Sequence, residues 1–306
     1  MNKRIITTAV LGLVVASGTA YSSPGSSAAS FMRIAVGAKP SAMGEAYAGV
    51  RDDILSIYYN PAGISRLESY NLSFTHALWF EDINYSNFAA GMPAFDGYMA
   101  LGLSGIFIGE IDKYDRTGED MKDTYSPYDM AVSLSYARDI ESMDISAGGS
   151  LKFITSDIDG HTASAVAADL GAMKKFGDIN TGVSIQNVGT EMKYRNDSDP
   201  LPLIVRLGAS YPFVLGPFNM LGSAETNLSN DVPFKFNAGV NAGYPAGDFL
   251  LSLRLGFKSY AEGLDALSHL TTGFGVEYSD IVFDYGFASF EDLGLTHRVS
   301  MGYRFN

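Results

Sequence analysis

Few residues in this chain have a type and spacing that could support catalysis. The chain has no Cys and four His, which are His76, His161, His269 and His297. None of them falls in the His-Glu-x-x-His spacing of a zinc site, and no Gly-x-Ser-x-Gly, Walker loop or Rossmann fingerprint occurs. The sequence therefore predicts a protein that is not an enzyme, with no catalytic residue, no metal site and no cofactor.

The charged residues are the next candidates for chemistry. The chain has 34 Asp+Glu against 21 Lys+Arg and a formal net charge of -13. Nucleic acid needs a basic face, so this balance excludes it as a partner. The acidic residues are dispersed, which favours a solvated, self-repelling surface over a specific cation site.

Apolar and polar residues alternate along the chain from Ser69 onward. In the last segment the apolar set is Val299, Met301, Tyr303 and Phe305. Successive side chains of a strand point to opposite faces, so each segment has one apolar and one polar face. After the N-terminal region no run of about 20 apolar residues occurs, which is the length of a membrane helix.

The connections between these segments alternate in length. The turns near Asp96, Asp178 and Asp248 are tight, whereas the connections 109–126, 189–202 and 260–267 are long and polar. Short periplasmic turns and longer outer loops are typical of membrane barrels. We predict an all-β fold, a transmembrane antiparallel β-barrel of about fourteen strands over residues 68–306, surrounded by outer-membrane lipid, with both termini periplasmic.

The strands are predicted to start near Ser69, Asn84, Tyr98, Pro127, Met143, Ala163, Asn180, Leu203, Phe218, Phe234, Phe249, Leu270, Ile281 and Leu295. Asn84–Met92 alternates poorly and is the weakest of these segments. His76 falls on the apolar face of the first segment. One interpretation is an interfacial ring; the other is a phospholipase-type site, for which no partner nucleophile is identified.

Charges that face lipid are costly in a barrel wall, so the charges on the polar faces are expected to point into the lumen. Two interpretations stay open: ion pairs that stiffen the barrel, or residues that line a substrate path. The predicted lumen-facing charges are Lys152, Asp169, Arg206, Glu225, Lys235, Arg254, Glu277, Asp284, Arg298 and Arg304.

The N-terminus has the features of an export signal. Lys3 and Arg4 precede the apolar stretch Ile5–Ala16, which is too short to span a membrane as a helix, and small residues lead up to Ala20. We predict a cleaved signal peptide over residues 1–20, a flexible leader over residues 21–30, and localisation in the bacterial outer membrane. An uncleaved anchor is the alternative.

Residues 31–67 contain Ala42-Met43-Gly44, Asp52-Asp53 and Asn60-Pro61-Ala62-Gly63, and further pieces follow in order, among them Ser184-Ile185-Gln186-Asn187-Val188-Gly189 and Thr296-His297-Arg298. The chain from Phe31 onward closely resembles the PorV/PorQ family, which belongs to the FadL-like group of outer-membrane barrels. The resemblance implies that residues 31–67 fold inside the lumen as a hatch. The hatch residues singled out are Gly44, Tyr47, Asp52, Asp53, Asn60, Pro61, Ala62 and Gly63.

The hatch segment itself suggests local structure. Ser41–Val50 is a helix candidate with Ser41 as N-cap. Asn60 precedes Pro61 and is therefore biased away from helix, and Pro61-Ala62-Gly63 predicts a turn. A hatch that only fills space and a hatch that moves as a gate both agree with this sequence.

The resemblance implies a non-enzymatic barrel that handles exported proteins, as in type IX secretion or surface attachment. The alternative is FadL-like transport of fatty acids or other hydrophobic small molecules, and a purely structural barrel is a third possibility. The partners are accordingly secreted or surface-attached proteins, or a hydrophobic small molecule. The acidic connection Glu110–Asp123 lacks the Ca²⁺-loop pattern and is interpreted as a solvated loop or a docking surface.

Overall fold

The computed structural model describes residues 25–79, 83–195, 197–259, 266–289 and 295–305. The predicted signal peptide, part of the leader and most of the 260–267 connection lie outside them. In the described residues fourteen strands close into one antiparallel barrel, which confirms the predicted fold. Within the same residues no helix is long and apolar enough to cross a membrane.

Eighteen strands occur in the described residues, fourteen of them in the barrel. They are β1 Tyr70–Leu78, β2 Asn84–Ala94, β3 Gly97–Phe107, β4 Ile111–Tyr114, β5 Asp120–Tyr125, β6 Tyr128–Ile140, β7 Ile145–Ile158, β8 His161–Phe176, β9 Ile179–Gly189, β10 Met192–Tyr194, β11 Asp197–Asp199, β12 Ile204–Leu215, β13 Phe218–Ser229, β14 Lys235–Ala246, β15 Phe249–Lys258, β16 Leu270–Tyr278, β17 Ile281–Ser289 and β18 Leu295–Phe305. The pairs β4–β5 and β10–β11 form separate two-stranded sheets.

The first and last strands close the barrel. β1 pairs with β18 from Tyr70↔Phe305 to Leu78↔His297 without a shift in register. β2, the segment with the poorest alternation, pairs regularly with β1 and β3. The register between β8 and β9 shifts between Ala168 and Leu170, so a bulge interrupts the wall there.

Alternation separates an apolar outer face from a polar inner face. On β15, Leu253 and Leu255 are 69% and 63% exposed, whereas the neighbouring Ser252 and Arg254 are buried. Aromatic side chains stack on the outside where strands end, as in Tyr70–Phe305 at 5.2 Å and Phe249–Tyr278 at 4.7 Å between ring centroids. Exposed apolar bands with aromatic girdles are the surface of a barrel in lipid.

The two ends of the barrel differ in their connections. The turn end carries the tight turns 95–96, 177–178, 216–217, 247–248 and 279–280. The loop end carries the longer connections, together with the two-residue turn 159–160. Two connections that were predicted to be long and polar contain the hairpins β4–β5 and β10–β11. β5 and β11 are charged and exposed on both faces, so they lack the alternation that marks the barrel strands.

The N-terminal segment enters the lumen at the loop end. The Ala28 amide donates to the Pro200 carbonyl in the β9–β12 connection at 3.0 Å, and Ser27 and Ala29 of the predicted leader are buried. The chain then crosses the lumen and reaches β1 at the turn end. The expectation that both ends of the chain lie at the turn end is therefore wrong for the described N-terminal residues.

The predicted helix Ser41–Val50 is also wrong. The α-helix α1 spans only Ala38–Ala42, with Ser41 near its end and Gly37 at its N-cap. Gly44 and Glu45 both have positive φ, at 64° and 67°, which terminates the helix. Three short 3-10 segments complete the N-terminal region: Ser30–Arg33, Ile54–Tyr58 and Pro61–Ile64.

Candidate functional site

The hatch, residues 31–67, lies against the inner wall on a belt of glycines. A Cβ built on Gly182 would lie 2.0 Å from the Ala48 carbonyl oxygen, and one built on Gly256 would lie 2.0 Å from the Gly44 nitrogen. Here the hatch backbone touches the wall backbone with no side chain between them. The glycine belt consists of Gly148, Gly182, Gly208, Gly239, Gly256 and Gly286, which face the hatch backbone, with Gly171 and Gly273, which face the side chains of Asn60 and Ala42.

The predicted turn at Asn60-Pro61-Ala62-Gly63 is a capped 3-10 segment. The Asn60 Oδ1 accepts from the Ala62 amide at 3.1 Å, and its Nδ2 donates to the Ala48 carbonyl at 2.9 Å. Asn60 therefore joins two parts of the hatch, and it is completely buried. Pro61 occupies the first helical position, where its missing N–H leaves no bond unmade. The Gly63 carbonyl accepts from the Asp52 amide at 2.9 Å.

A buried carboxylate of the wall holds the centre of the hatch. The Glu225 Oε2 accepts from the Tyr47 and Ala48 amides at 2.9 and 2.7 Å, and its Oε1 pairs with Arg206 Nη1 at 2.6 Å. Arg206 Nε donates to Gln186 Oε1 at 2.8 Å. A buried charge that is both paired and hydrogen-bonded is stable, whereas removing one partner is costly.

A second carboxylate organises the hatch from within. Asp53 Oδ2 pairs with Lys39 Nζ at 2.8 Å and accepts from the Tyr47 hydroxyl at 2.6 Å, and Asp53 Oδ1 caps the Ile54–Tyr58 segment through the Leu55 amide. Burial alone would raise the pKa of Asp53. The charge and hydrogen bond of Lys39, with the other donors, outweigh burial and lower this pKa to about 2.

On the loop-end side of the hatch lies a recess that we call the loop-side chamber, a space of about 500 Å³ that includes open solvent. Its hatch wall is largely apolar and its barrel wall carries polar side chains. The lining residues are Met32, Ile34, Val36, Tyr58, Tyr59, Tyr85, Ser104, Ala131, Ser133, Lys152, Gln186, Asn187 and Arg206. Gln186 and Asn187 are consecutive, and both are buried at the β8–β9 bulge.

On the other side lies the turn-side vestibule, a space of about 790 Å³ that includes open solvent. Its lining is mostly polar and charged. The residues include Lys39, Asp52, Asp53, Asn71, Ser73, Asn241, Ser252, Arg254, Glu277, Asp284, Ser300 and Arg304. The hatch therefore separates a partly apolar chamber from a polar vestibule.

Eight of the ten predicted lumen charges form four ion pairs. Three of these pairs have side chains that are at most 9% exposed, and the fourth, at the turn end, is more open. The pairs are Lys152–Asp169 at 2.6 Å, Arg206–Glu225 at 2.6 Å, Arg254–Asp284 at 2.8 Å and Arg304–Glu277 at 3.1 Å. The remaining two, Lys235 and Arg298, lie on β14 and β18 near the loop end.

Four ion pairs that involve the hatch were not predicted from the sequence. They are Arg33–Asp231, Lys39–Asp53 at 2.8 Å, Lys258–Glu45 at 3.4 Å and Arg66–Asp139 at 2.6 Å. The hatch has no strand periodicity, so no sequence pattern indicated which of its charged residues pair with charged residues of the wall. His76 bonds to Ser86 at 2.9 Å. No group of three His, Asp or Glu in the described part of the chain could hold a metal ion.

The architecture resembles solved channel structures. The Pseudomonas putida toluene transporter TodX superposes with a TM-score of 0.60 at 11% identity, covering 89% of this chain and 99% of that one. The CymD monoaromatic hydrocarbon channel gives a TM-score of 0.58 at 12% identity, covering 89% and 98%. The chain has the fold of these channel barrels.

At such low identity the similarity concerns the fold alone. No protein-family model matches the chain, and the comparison with curated proteins gave no match either. The PorV/PorQ resemblance therefore remains a prediction from the sequence.

Proposed function

We propose that this chain is an outer-membrane channel barrel that admits a hydrophobic small molecule to the loop-side chamber, as in the FadL-like alternative drawn from the sequence. The apolar outer band supports insertion in a membrane, and bacterial barrels of this build lie in the outer membrane. The named neighbours are a transporter and a channel, which supports a role without catalysis.

The observation that carries the proposal is the lining of the chamber. Met32, Ile34, Val36 and Tyr58 of the hatch line the chamber together with Tyr85 of the barrel wall. Small-molecule sites are concave and mostly apolar. The turn-side vestibule also has apolar lining residues, among them Ile54, Leu55 and Leu250, but most of its lining is polar or charged. We therefore assign the hydrophobic ligand to the loop side of the hatch.

The test is binding of an apolar probe to the purified full-length barrel in detergent. Naphthalene binding is followed by its fluorescence for the wild type and for Ala131→Phe, which narrows the chamber because Ala131 lines it and is 5% exposed. The matched control is Leu134→Phe on the outer face of the same strand, where Leu134 is 51% exposed.

We expect Ala131→Phe to weaken naphthalene binding about tenfold, because the new phenyl ring occupies the space in which the probe makes its contacts. We expect Leu134→Phe to leave naphthalene binding unchanged. Equal binding by all three proteins would contradict the chamber as the site. So would failure of the wild type to bind naphthalene above the level of empty micelles.

A second candidate is the handling of exported proteins, as the PorV/PorQ resemblance implies. The observation that favours it is the exposed hairpin β4–β5, on which Tyr114 and Met121 are 61% and 57% exposed. Lys113 of β4 pairs with Asp123 of β5 within the hairpin and with Asp159 of the β7–β8 turn, both at 2.8 Å. Exposed aromatic and Met side chains are enriched at protein interfaces.

Purification from the native membrane tests this candidate. A stoichiometric envelope protein that is retained by the wild type and lost from a Tyr114→Ser, Met121→Ser double variant would support it. Equal recovery by both, or no stoichiometric partner, would count against it.

A further inference from the structure

The hatch chain crosses from the loop-side chamber to the turn-side vestibule at two places. Val36 lines the chamber, and Lys39, three residues later, lines the vestibule. Tyr59 lines the chamber, and Leu55, four residues earlier, lines the vestibule. The Ile54–Tyr58 segment is a 3-10 helix with a rise of about 2 Å per residue, so this second crossing spans only about 8 Å. The hatch is therefore a thin partition at these two crossings.

The Tyr59 side chain joins the two crossings. Its hydroxyl accepts a hydrogen bond from the Val36 amide at 3.0 Å and donates one to the Val36 carbonyl at 2.9 Å. Next to these bonds Leu55 packs on Gly37, where an added Cβ would lie 2.5 Å from the Leu55 Cδ1. Side chains, which can rotate, therefore fill the gap between the two crossings.

Tyr47 continues the partition from Tyr59 toward the vestibule. The two rings are buried, with 5.3 Å between their centroids and a tilt of 54° between their planes. On the chamber side, the Arg206 guanidinium lies over the Tyr59 ring at 5.2 Å from its centroid. On the vestibule side, the Tyr47 hydroxyl donates to Asp53 Oδ2 at 2.6 Å. The two tyrosines together therefore extend through the hatch from one space to the other.

The barrel wall holds the backbone of both tyrosines in place. Glu225 Oε2 accepts from the Tyr47 amide at 2.9 Å, and Ser184 Oγ donates to the Tyr59 carbonyl at 2.7 Å. Rotation of the Tyr59 ring would break its two hydrogen bonds to Val36 and leave these backbone contacts intact. The partition can therefore open by side-chain rotation while the hatch backbone stays where it is.

We propose that Tyr47 and Tyr59 form a gate within the hatch, through which a hydrophobic molecule passes from the loop-side chamber to the turn-side vestibule when the two rings rotate. The inference rests on the proposed function, which assigns that molecule to the chamber. Aromatic rings suit such a gate because they offer apolar contact to the solute, whereas a closed apolar constriction excludes hydrated ions.

The test is the ion conductance of the full-length barrel in planar bilayers, a measurement that does not depend on naphthalene binding. The proteins compared are the wild type, Tyr47→Ala, Tyr59→Ala and the double variant. We expect the double variant to raise the mean conductance about threefold or more over the wild type, because removal of both rings joins the chamber to the vestibule. Each single variant should give an intermediate conductance.

Ile64→Ala is the matched control within the hatch. Ile64 is 0% exposed and belongs to the apolar core, and it lies outside the lining of both the chamber and the vestibule. Its truncation leaves a cavity in the hatch without joining the two spaces, so the conductance should stay within about 1.5-fold of the wild type. Heat-modified migration on gels verifies that each variant forms a barrel.

A milder variant keeps the test decisive if the alanine variants fail to fold. Tyr59→Phe keeps the ring and removes only the hydroxyl that bonds to Val36. We expect brief openings to become about threefold or more frequent than in the wild type, because two hydrogen bonds no longer hold the ring closed. An opening frequency equal to that of the wild type would overturn the proposal.

Naphthalene binding and conductance together separate the gate from the proposed function. A wild type that binds no naphthalene, with the conductance pattern given above, would remove the hydrophobic ligand and keep the gate. A wild type that binds naphthalene, with a double variant that conducts no better than the wild type, would overturn the gate and keep the proposed function. The gate is also overturned if Ile64→Ala raises the conductance as much as the double variant.

Discussion

The loop-side chamber and the turn-side vestibule lie in one lumen, yet their charged walls are built differently. On the loop side the carboxylates Asp169 and Glu225 are 0% exposed behind their cations. On the turn side both members of each pair share exposure, as in Lys39–Asp53 at 26% and 14%. The difference shows that neutral ion pairs can present different charges to a solute, the cation alone on the loop side and both charges on the turn side.

The two sides also differ in the free-energy cost of removing one member of an ion pair. A pair that is buried on both sides cannot lose one member without leaving a desolvated charge, whereas a pair at the open rim can. Glu225 also accepts hydrogen bonds from the hatch backbone, whereas among the described residues Glu277 binds only Arg304. The two sides should therefore respond very differently to matched substitutions.

Glu225→Gln should give the largest effect. It removes the charge opposite Arg206 and weakens the acceptor for the Tyr47 and Ala48 amides, so we expect a loss of about 3–5 kcal/mol in the free energy of unfolding. Urea unfolding in detergent, followed by tyrosine fluorescence, measures it. A loss below about 1 kcal/mol would mean that the loop-side pair is no more important than one at the rim.

The glycine belt, where the hatch contacts the wall, separates the loop-side chamber from the turn-side vestibule. Gly182→Val should cost up to about 3 kcal/mol, because the new side chain enters the space of the Ala48 carbonyl and overpacks the contact. It should also raise conductance in planar bilayers by displacing the hatch. Gly222→Val is the control, since a Cβ at Gly222 meets nothing within 4 Å. Equal conductance of the two variants would contradict a sealing role for the belt.

Acid should weaken the turn side through Asp53. Its pKa in the folded protein, about 2, lies below the ordinary 3.8. The stability that it contributes, about 2 kcal/mol, is present above pH 4 and is lost as pH falls toward 2. The difference in unfolding free energy between wild type and Asp53→Asn should shrink over this range. A difference that is independent of pH would show that the lowered pKa does not stabilise the hatch.

The smallest effect is expected at the rim. Glu277→Gln breaks a pair whose side chains are 30% and 49% exposed, so its cost should stay below about 1 kcal/mol. Added salt should reduce even this difference, because exposed pairs are screened. A cost similar to that of Glu225→Gln would remove the distinction between the two sides.

The barrel strands could be predicted because lipid outside and a polar lumen inside impose a period of two. β1 begins at Tyr70 and β14 at Lys235, each one residue from its predicted start. β8 begins at His161, two residues earlier than predicted, because a two-residue turn continues the pairing with β7. The hairpins at the loop end were not predicted because β5 and β11 are exposed on both faces and therefore show no alternation of apolar and polar residues.

The hatch could be predicted only in part. The resemblance implied a segment inside the lumen, and Pro61 with Asn60 indicated its turn. The helix was misjudged because Ser41 was taken as a cap, whereas the chain turns at Gly44 and Glu45 in the left-handed region. The glycine belt had a readable signal, since its members fall on the polar side of strands where small residues admit a second backbone.

The contacts of the hatch impose an order on biogenesis. The segment that precedes β1 touches β17 at Gly286 and β7 at Gly148, and Tyr58 donates to the Phe88 carbonyl of β2. A closed cylinder would have to admit this segment by threading, with its tight backbone contacts made in a confined space. We therefore expect the sheet to curl around a segment already in place, with the β1–β18 seam closing last. The contacts of the hatch and the closure of the barrel would then form together in a single cooperative step.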